Sequence, residues 1–262
     1  MASSTAPSIL VTLADPLRSH DPAAARLKNE LYLEAIRRAG GEPTGIDESD
    51  GTDPVTAAPA GMAGLLLSGG SDLDPSLYGA RPAGSIRIRR ERDRLDLSAW
   101  TVAMARRLPV LGICRGLQAI NIFHGGRLTQ HVDGHQGASY GEGPPVTHDL
   151  RLVPGTRVHA IVAGDGEAVP TVRSRREAEP IVPPLTVNSY HHQAVRTTDL
   201  APGLRAAGYS ADGDGRELVE ALEAMDGRWV VGVQFHPERT DSTPPEFGRL
   251  FEAFVEEARR GG

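Results

Sequence analysis

Hydrophobic positions in the first half of the chain follow two different periods. Apolar residues three and four positions apart predict two helices, one from Asp21 and Pro22 to Gly40 and the other over about residues 89–107. Short runs of consecutive apolar residues predict buried strands at residues 9–13, 64–67 and 110–113. Strands and helices that alternate in this way predict a mostly parallel sheet with helices on both faces.

The second half of the chain has the pattern of an antiparallel sheet. Asp-Gly turns at 212–215 and 226–227 separate its last three strands, which is typical of a meander that runs back toward the parallel sheet. The final helix begins at a capping box formed by Thr243 and Glu246, and its aromatic residues are spaced as one buried face. The strands predicted in this half lie at residues 147–153, 185–189, 205–209, 218–224 and 228–235.

Together these elements predict an α/β fold with a mostly parallel central sheet flanked by helices and a C-terminal antiparallel β portion. We expect one domain over residues 1–262, with residues 1–8 disordered. Segments rich in glycine, proline and acidic residues predict surface loops at 42–60, 134–145 and 163–184.

Composition and charge narrow the function classes. A chain of 262 residues can bury a large core without crosslinks, and its single cysteine cannot form an intrachain disulfide, which suits the cytoplasm. The N-terminus lacks the regions of a signal peptide and no apolar run could cross a bilayer, so we expect a cytoplasmic protein without a membrane partner. A net charge of −6 argues against a nucleic-acid partner. The basic run at 87–94 contains interspersed acids, and we interpret it as a solvated helix start.

The single cysteine, Cys114, lies between the predicted strand at 110–113 and a helix that carries Leu117 and Ile120. A sharp strand-to-helix elbow lifts one side chain clear of the sheet and directs it past a helix N-terminus. The unpaired amides and the dipole of that helix favour a thiolate, so the pattern predicts a cysteine nucleophile. The alternative is a buried structural cysteine.

A base for that nucleophile is predicted near the C-terminus. His236 and Glu238 follow the strand predicted to end at Phe235, and residues two apart in an extended segment face the same side. Pro237 favours an extended backbone at His236. Glu238 could therefore orient one imidazole nitrogen while the other faces the sulfur. The alternative is that the His-Pro pair only ends a strand.

These motifs resemble those of the class I glutamine amidotransferase superfamily, in the runs Gly112-Ile-Cys-Arg-Gly116 with Gln118 and Gly232-Val-Gln-Phe-His-Pro-Glu238. Within it, the chain is similar from about residue 9 to 255 to the gamma-glutamyl-gamma-aminobutyrate hydrolase branch, the C26 type of cysteine peptidase. The segments that narrow the resemblance to this branch are Leu66-Leu-Ser-Gly-Gly-Ser-Asp-Leu-Asp-Pro75 with Tyr78-Gly79, Asn121 with Gly125-Gly126, and Val187-Asn-Ser-Tyr-His-His-Gln193.

The resemblance implies a flavodoxin-like class I amidotransferase fold and a Cys114–His236–Glu238 triad. The elbow offers the amide of Arg115 to an oxyanion, and the resemblance implies the amide of Gly70 as the second donor. Two positions depart from the branch: Phe235 stands where Trp is usual and Asp96 where Glu is common. The residues expected to contact the glutamyl group are Gly69, Gln118, Asn188, Ser189, Tyr190, His191 and Gln193.

His191 is also a rival for the base, although it lacks a carboxylate two residues further on. The histidines form no metal motif such as His-Glu-x-x-His, and we expect neither a metal nor a cofactor.

The function expected from the resemblance is hydrolysis of a γ-glutamyl amine, a small molecule, to glutamate and the free amine through a γ-glutamyl thioester. One alternative is a glutaminase subunit that delivers ammonia to a separate synthetase, and another is a non-catalytic γ-glutamyl-binding protein. The sequence does not identify the amine that is released. It does not fix the oligomeric state either, for which a homodimer is one option.

Overall fold

The computed structural model describes residues 6–50, 61–137, 145–164 and 185–261, which form helices on both sides of one large sheet. The helices within these ranges are α1 (Pro22–Arg38), α2 (Arg90–Ala105), α3 (Arg115–Phe123), α4 (Arg157–Ala163) and α5 (Arg249–Gly261). The strands are β1 (Ser8–Thr12), β2 (Glu42–Ile46), β3 (Met62–Leu67), β4 (Val110–Ile113), β5 (Val146–Leu152), β6 (Leu185–Ser189), β7 (Val195–Arg196), β8 (Leu204–Ala211), β9 (Glu217–Ala224) and β10 (Val230–Val233).

The sheet has a parallel half and an antiparallel half. Its strand order is β2-β1-β3-β4-β10-β9-β8-β5-β6, and β7 pairs with β9. The first five strands in this order run parallel to one another, whereas each later pairing is antiparallel. This confirms the predicted α/β fold with a C-terminal antiparallel portion, and it shows that β10 is the strand shared by the two halves.

The two faces of the sheet carry two hydrophobic layers. One layer contains Ile36 of α1 and Phe254 of α5, and the other contains Trp100 of α2 and Ile120 of α3. Within the described ranges, none of the helices combines the length and the hydropathy that a membrane span requires.

The N-terminal part of the chain differs from the prediction at two places. The loop predicted at 42–60 begins instead with the edge strand β2, and residues 51–60 lie outside the described part. Ser8 is already the first residue of β1, and the carbonyl of Pro7 accepts a hydrogen bond from the amide of Glu42. The disorder expected over residues 1–8 therefore does not hold at residues 7 and 8, while residues 1–5 lie outside the described part.

The predicted capping box at the last helix is wrong. A short 3₁₀ turn, Pro245–Gly248, precedes α5, and Pro244 occupies its N-cap without a side-chain bond. The hydroxyl of Thr243 donates instead to the carbonyl of His236 at 3.0 Å. The residue types of a capping box are present, but the hydroxyl of Thr243 stabilises the loop that carries the predicted base.

Candidate active site

Three strands of the parallel half end at the same edge of the sheet. Leu67 of β3 is paired with Gly112 of β4, which is paired with Gly232 of β10. The segments that follow these strands therefore emerge side by side, because the carboxyl ends of neighbouring parallel strands meet at one edge. This register brings the three predicted motifs together.

Cys114 forms the elbow between β4 and α3. Its backbone has φ 54° and ψ −104°, a conformation that few residues other than glycine adopt, and its amide donates to the carbonyl of Val233 at 2.7 Å. Gly116 permits the sharp turn, since a Cβ there would lie 2.0 Å from the carbonyl oxygen of Leu67. The elbow thus holds the thiol at the N-terminus of α3, as predicted.

His236 is paired with the carboxylate expected from the sequence. Its Nδ1 lies 2.7 Å from Oε1 of Glu238. Burial alone would lower the pKa of His236, but the negative charges of Glu238 and Cys114 outweigh it and raise that pKa to about 9. The imidazole is therefore favoured in its charged form at neutral pH.

Sulfur and imidazole meet around Gly69. A Cβ added at Gly69 would lie 3.0 Å from Cε1 of His236 and 3.7 Å from Cβ of Cys114. Gln234, the residue two before His236, donates from its amide nitrogen to the sulfur of Cys114 at 3.5 Å. A side chain at position 69 would thus enter the space between the two groups.

Tyr32 of α1 completes this arrangement. Its hydroxyl accepts from the amide of Gly69 at 3.1 Å and lies 3.3 Å from Nδ1 of His236. Burial and the charge of Glu238 raise the pKa of Tyr32 well above its ordinary value, so the phenol stays neutral. Tyr32 therefore links the glycine loop to the imidazole without adding charge.

The backbone of Gly70 lies against the side chain of Arg115, and these two residues carry the predicted oxyanion donors. A Cβ at Gly70 would be 3.1 Å from Cδ of Arg115, so the glycine backbone packs directly on that side chain. Within the described part of the chain, no acceptor is found for the amide of Gly70 or of Arg115. Both amides remain available to a developing negative charge, as an oxyanion hole requires.

A buried ion network supports the elbow from behind. The guanidinium of Arg115 donates to Asp96 and, at 2.5 Å, to Asp93, while Arg92 donates to Asp96 at 3.0 Å. All four side chains are at most 4% exposed. The interpretation of residues 87–94 as a solvated helix start is therefore wrong at Arg92 and Asp93. Asp96, which departs from the family pattern, is the carboxylate that joins both arginines.

The structure gives several predicted substrate residues contacts within the protein. Asn188 is fully buried: its carboxamide accepts from the amide of His236 at 2.8 Å and donates to the carbonyl of His236 at 3.0 Å. Its side chain therefore positions the base. Gln118 uses its amide nitrogen to donate to the carbonyl of Gln193 and the side chain of Gln234. A contact between the side-chain oxygen of Gln118 and the glutamyl group stays a prediction.

Of the predicted substrate residues that follow Asn188, Tyr190 faces the site, whereas the others contact other parts of the protein. Tyr190 forms a wall of the site, with its ring 5.5 Å from that of His236 and 4.0 Å from the guanidinium carbon of Arg239. Ser189 donates to the carbonyl of His135, and Gln193 donates to the hydroxyl of Ser85. His191 is 4% exposed and its Nε2 lies 3.7 Å from Glu220, away from the elbow.

Two residues of the site were missed in the sequence. Gln234 had a usable signal, because it lies two residues before His236 on an extended segment and so faces the same side. Tyr32 had none beyond its place on a helix face that packs on the core. Its contact with Gly69 joins residues 37 positions apart, which no local pattern encodes.

Comparison with known proteins identifies the family of this chain. The model of the peptidase C26 family matches residues 16–238. A gamma-glutamyl-gamma-aminobutyrate hydrolase of Escherichia coli K12 is 28% identical over 250 residues, which is 94% of this chain and 91% of the relative. Protein NtpR of Enterococcus hirae is 29% identical over 236 residues, 86% of this chain and 87% of that protein. A Mycobacterium tuberculosis protein named provisionally as a glutamine amidotransferase is 32% identical over 87% of this chain, which spans only 66% of its length.

Among solved structures, a Thermoplasma acidophilum protein named provisionally as one of the subunits of GMP synthase matches with a TM-score of 0.57. The two share 15% identity, and the match covers 95% of this chain and 94% of the other. At this identity the likeness shows the fold. The family model, in contrast, covers most of the sequence, from before α1 to Glu238. The chain belongs to the peptidase C26 family.

Proposed function

We propose that this protein hydrolyses the γ-glutamyl amide bond of a γ-glutamyl amine, with Cys114 as nucleophile, His236 as acid and base, and Glu238 as the carboxylate that orients His236. The observation that carries the proposal is the meeting of Cys114 and His236 around Gly69, with Glu238 2.7 Å from the imidazole. Family membership supports a hydrolase, and the activity for which the Escherichia coli relative is named supports the γ-glutamyl amide.

The first half-reaction forms a thioester. His236 accepts the proton of Cys114, and the resulting thiolate adds to the γ-carbonyl carbon of the substrate. The carbonyl oxygen becomes an alkoxide between the amides of Gly70 and Arg115, whose stabilisation is worth about 3 kcal/mol. The C–N bond then breaks while the imidazolium of His236 protonates the leaving amine.

The second half-reaction releases glutamate. His236, now neutral, takes a proton from water, and the resulting hydroxide adds to the thioester carbonyl. The second alkoxide collapses, the C–S bond breaks and the sulfur leaves as a thiolate beside the imidazolium. Glu238 orients the ring and fixes the tautomer of His236, in the way that the carboxylate of a serine-protease triad does.

A glutaminase that delivers ammonia to a partner synthetase is the second candidate. The provisional name of the mycobacterial relative favours it. The two reactions share the thioester and differ in the leaving group, which is ammonia in the glutaminase and a substituted amine in the hydrolase. A homodimer and a cytoplasmic location remain expectations for either candidate.

The test measures glutamate release from glutamine and from a panel of γ-glutamyl amines by the purified protein, with and without Cys114→Ala. We expect turnover of at least one γ-glutamyl amine without a partner, and none by the variant. Because Cys114 is the only cysteine, mass spectrometry can assign a trapped acyl adduct without ambiguity. Unchanged turnover by Cys114→Ala would refute the assignment, and release from glutamine alone would favour the glutaminase. Circular dichroism of the variant checks its fold.

A further inference from the structure

Four ionisable side chains meet inside the antiparallel half of the sheet, outside the proposed triad. His148 lies on β5, Glu220 on β9, His191 follows β6, and His135 belongs to the loop between α3 and β5. One ligand atom from each lies within 4.8 Å of the others. Three of the four are at most 4% exposed, and His148 is half-buried. The group brings together three imidazoles and one carboxylate from distant segments.

Each imidazole has one ring nitrogen next to a backbone carbonyl. Nδ1 of His191 lies 3.0 Å from the carbonyl of Gln193, Nδ1 of His148 lies 3.3 Å from that of Asp149, and Nε2 of His135 lies 3.1 Å from that of Ala211. A carbonyl can only accept, so these nitrogens carry the protons. The other nitrogen of each ring is left with a lone pair, which is the tautomer that a metal ligand needs.

Three of the central acceptor atoms have no donor, whereas Nδ1 of His135 lies 3.4 Å from the hydroxyl of Ser189, which also donates to the carbonyl of His135 at 2.7 Å. Nε2 of His148, Nε2 of His191 and Oε2 of Glu220 are buried without a hydrogen-bond partner. The two nitrogens lie 3.6 and 3.7 Å from Oε1 of Glu220, beyond hydrogen-bond distance. That oxygen instead accepts from the hydroxyl of Ser210 at 2.8 Å. Among the described residues, no arginine or lysine forms an ion pair with Glu220.

Burying a carboxylate without a cationic partner is costly, as is leaving several acceptors without donors. A water molecule donates only two hydrogen bonds, so it satisfies this cluster only when Glu220 also carries a proton. A divalent cation accepts from all four groups at once and compensates the carboxylate.

We propose that His135, His148, His191 and Glu220 bind one Zn²⁺ ion in a closed, tetrahedral structural site. Four nitrogen and oxygen ligands are what zinc takes in such sites, and metal–ligand lengths near 2.0–2.1 Å imply ligand atoms about 3.4 Å apart. The 3.6 and 3.7 Å separations need to contract by a few tenths of an ångström, and the widest separation, within 4.8 Å, by up to about 1.4 Å. Sequence spacing predicted no metal because the ligands come from four separate segments and form no local motif.

Such a site would stabilise the wall of the candidate active site without taking part in its chemistry. The carbonyl of Gln193 accepts both from His191 and from Gln118, which also contacts Gln234. Gln234 in turn donates to the sulfur of Cys114. An ion bound to His191 would therefore fix the first of the successive contacts that lead from His191 to the predicted nucleophile Cys114.

The test uses tag-free protein, because a polyhistidine tag would itself bind zinc. The protein is stripped with a chelator, titrated with Zn²⁺ against a chromogenic competitor, and analysed for bound metal after gel filtration. We expect one Zn²⁺ per chain, and a rise in Tm of about 5–10 °C at zinc 100-fold above Kd. Replacement of zinc by Co²⁺ should give the visible absorption of a tetrahedral site.

Two variants make the assignment specific. Glu220→Gln keeps the shape and the bond to Ser210, and His148→Ala removes the ligand that is most exposed; each should weaken zinc binding by at least about 100-fold. His20→Ala, which removes an exposed histidine, is the matched control and should bind as the parent does. The proposal is overturned if the folded parent binds no stoichiometric zinc. That result is expected if the cluster holds water and Glu220 carries a proton. The proposal is equally overturned if Glu220→Gln and His148→Ala bind zinc like the parent.

Discussion

Within the described part of the chain, the pair His236–Glu238 and the pair His191–Glu220 are both buried, but their protonation is opposite. In the first pair, His236 lies 2.7 Å from Glu238 and its pKa is raised to about 9. In the second pair, His191 lies 3.7 Å from Glu220; burial and the neighbouring histidines lower its pKa well below the ordinary value. Burial also raises the pKa of Glu220 to about 7. The same two residue types therefore hold a charged imidazole in one place and a neutral one in the other.

The difference follows from contact and from neighbours. Burial disfavours the imidazolium of His236, but the negative charges of Glu238 and Cys114 outweigh burial, and the hydrogen bonds to the two groups add to the effect. His191 has no such bond, and the groups around it are other imidazoles, which disfavour a further positive charge. An imidazolium suits proton transfer to a leaving group, whereas neutral imidazoles suit metal binding. We therefore propose His236, rather than its rival His191, as the base.

Matched changes in the two carboxylates should separate the pairs most strongly. Glu238→Gln removes the group that orients His236 and should lower kcat by about 10³-fold or more, because the imidazole adopts the wrong tautomer. Glu220→Gln, assayed on the same γ-glutamyl amine, should change kcat by less than about threefold. Equal losses in the two folded variants would contradict the distinction between the pairs.

The raised pKa of His236 predicts how stability depends on pH. The folded state binds this proton more tightly than the unfolded state, so the contribution is full below about pH 6.5 and is lost as pH rises through about 9. The loss in the free energy of unfolding should be about 3 kcal/mol, measured by urea denaturation at the two ends of this range. His236→Gln is the control and should lack this part of the slope. A parent protein with no loss over the same range would show that His236 is neutral in the folded state.

The smallest of the expected effects concerns Tyr32, which has no counterpart in the second pair. Tyr32→Phe removes the hydroxyl that accepts from Gly69 and contacts His236, at a cost of about 1 kcal/mol. We expect kcat to fall about fivefold with little change in KM, since the loss affects the alignment of the imidazole. Tyr209→Phe, which removes a hydroxyl from β8, is the matched control. A change confined to KM would place Tyr32 in substrate binding instead.

The parallel and antiparallel halves of the fold, and the positions of Cys114 and His236 at strand ends, could be predicted because their signals are local. The apolar run before Cys114 and the alternation through His236 each lie within a few residues, and the register of parallel strands brings them together. The edge strand β2 could not be found in the same way. Its sequence, Glu-Pro-Thr-Gly-Ile, has no apolar run and contains proline and glycine, which strands disfavour. An edge strand tolerates them, since only one of its edges is paired, with β1.

Buried charges were the main failure of the sequence prediction. Arg92 and Asp93 belong to a run whose sequence predicts a solvated helix start, and their burial depends on partners from other elements, such as Arg115 and Ser68. His148 and Glu220 likewise lie on strands whose sequences give no indication of a buried cluster, because their partners are distant in the chain. Pairing between distant segments is set by the fold, so a pattern within one segment carries no trace of it.

The positive φ of Cys114 has a consequence for any attempt to improve the protein by selection for thermal resistance. A non-glycine residue in such a conformation costs on the order of 1–3 kcal/mol. Glycine at 114 would relieve this strain at once, and a screen that scores only survival on heating would favour it. The most heat-resistant descendants would then have lost the one thiol of the chain, so such a screen has to score turnover as well.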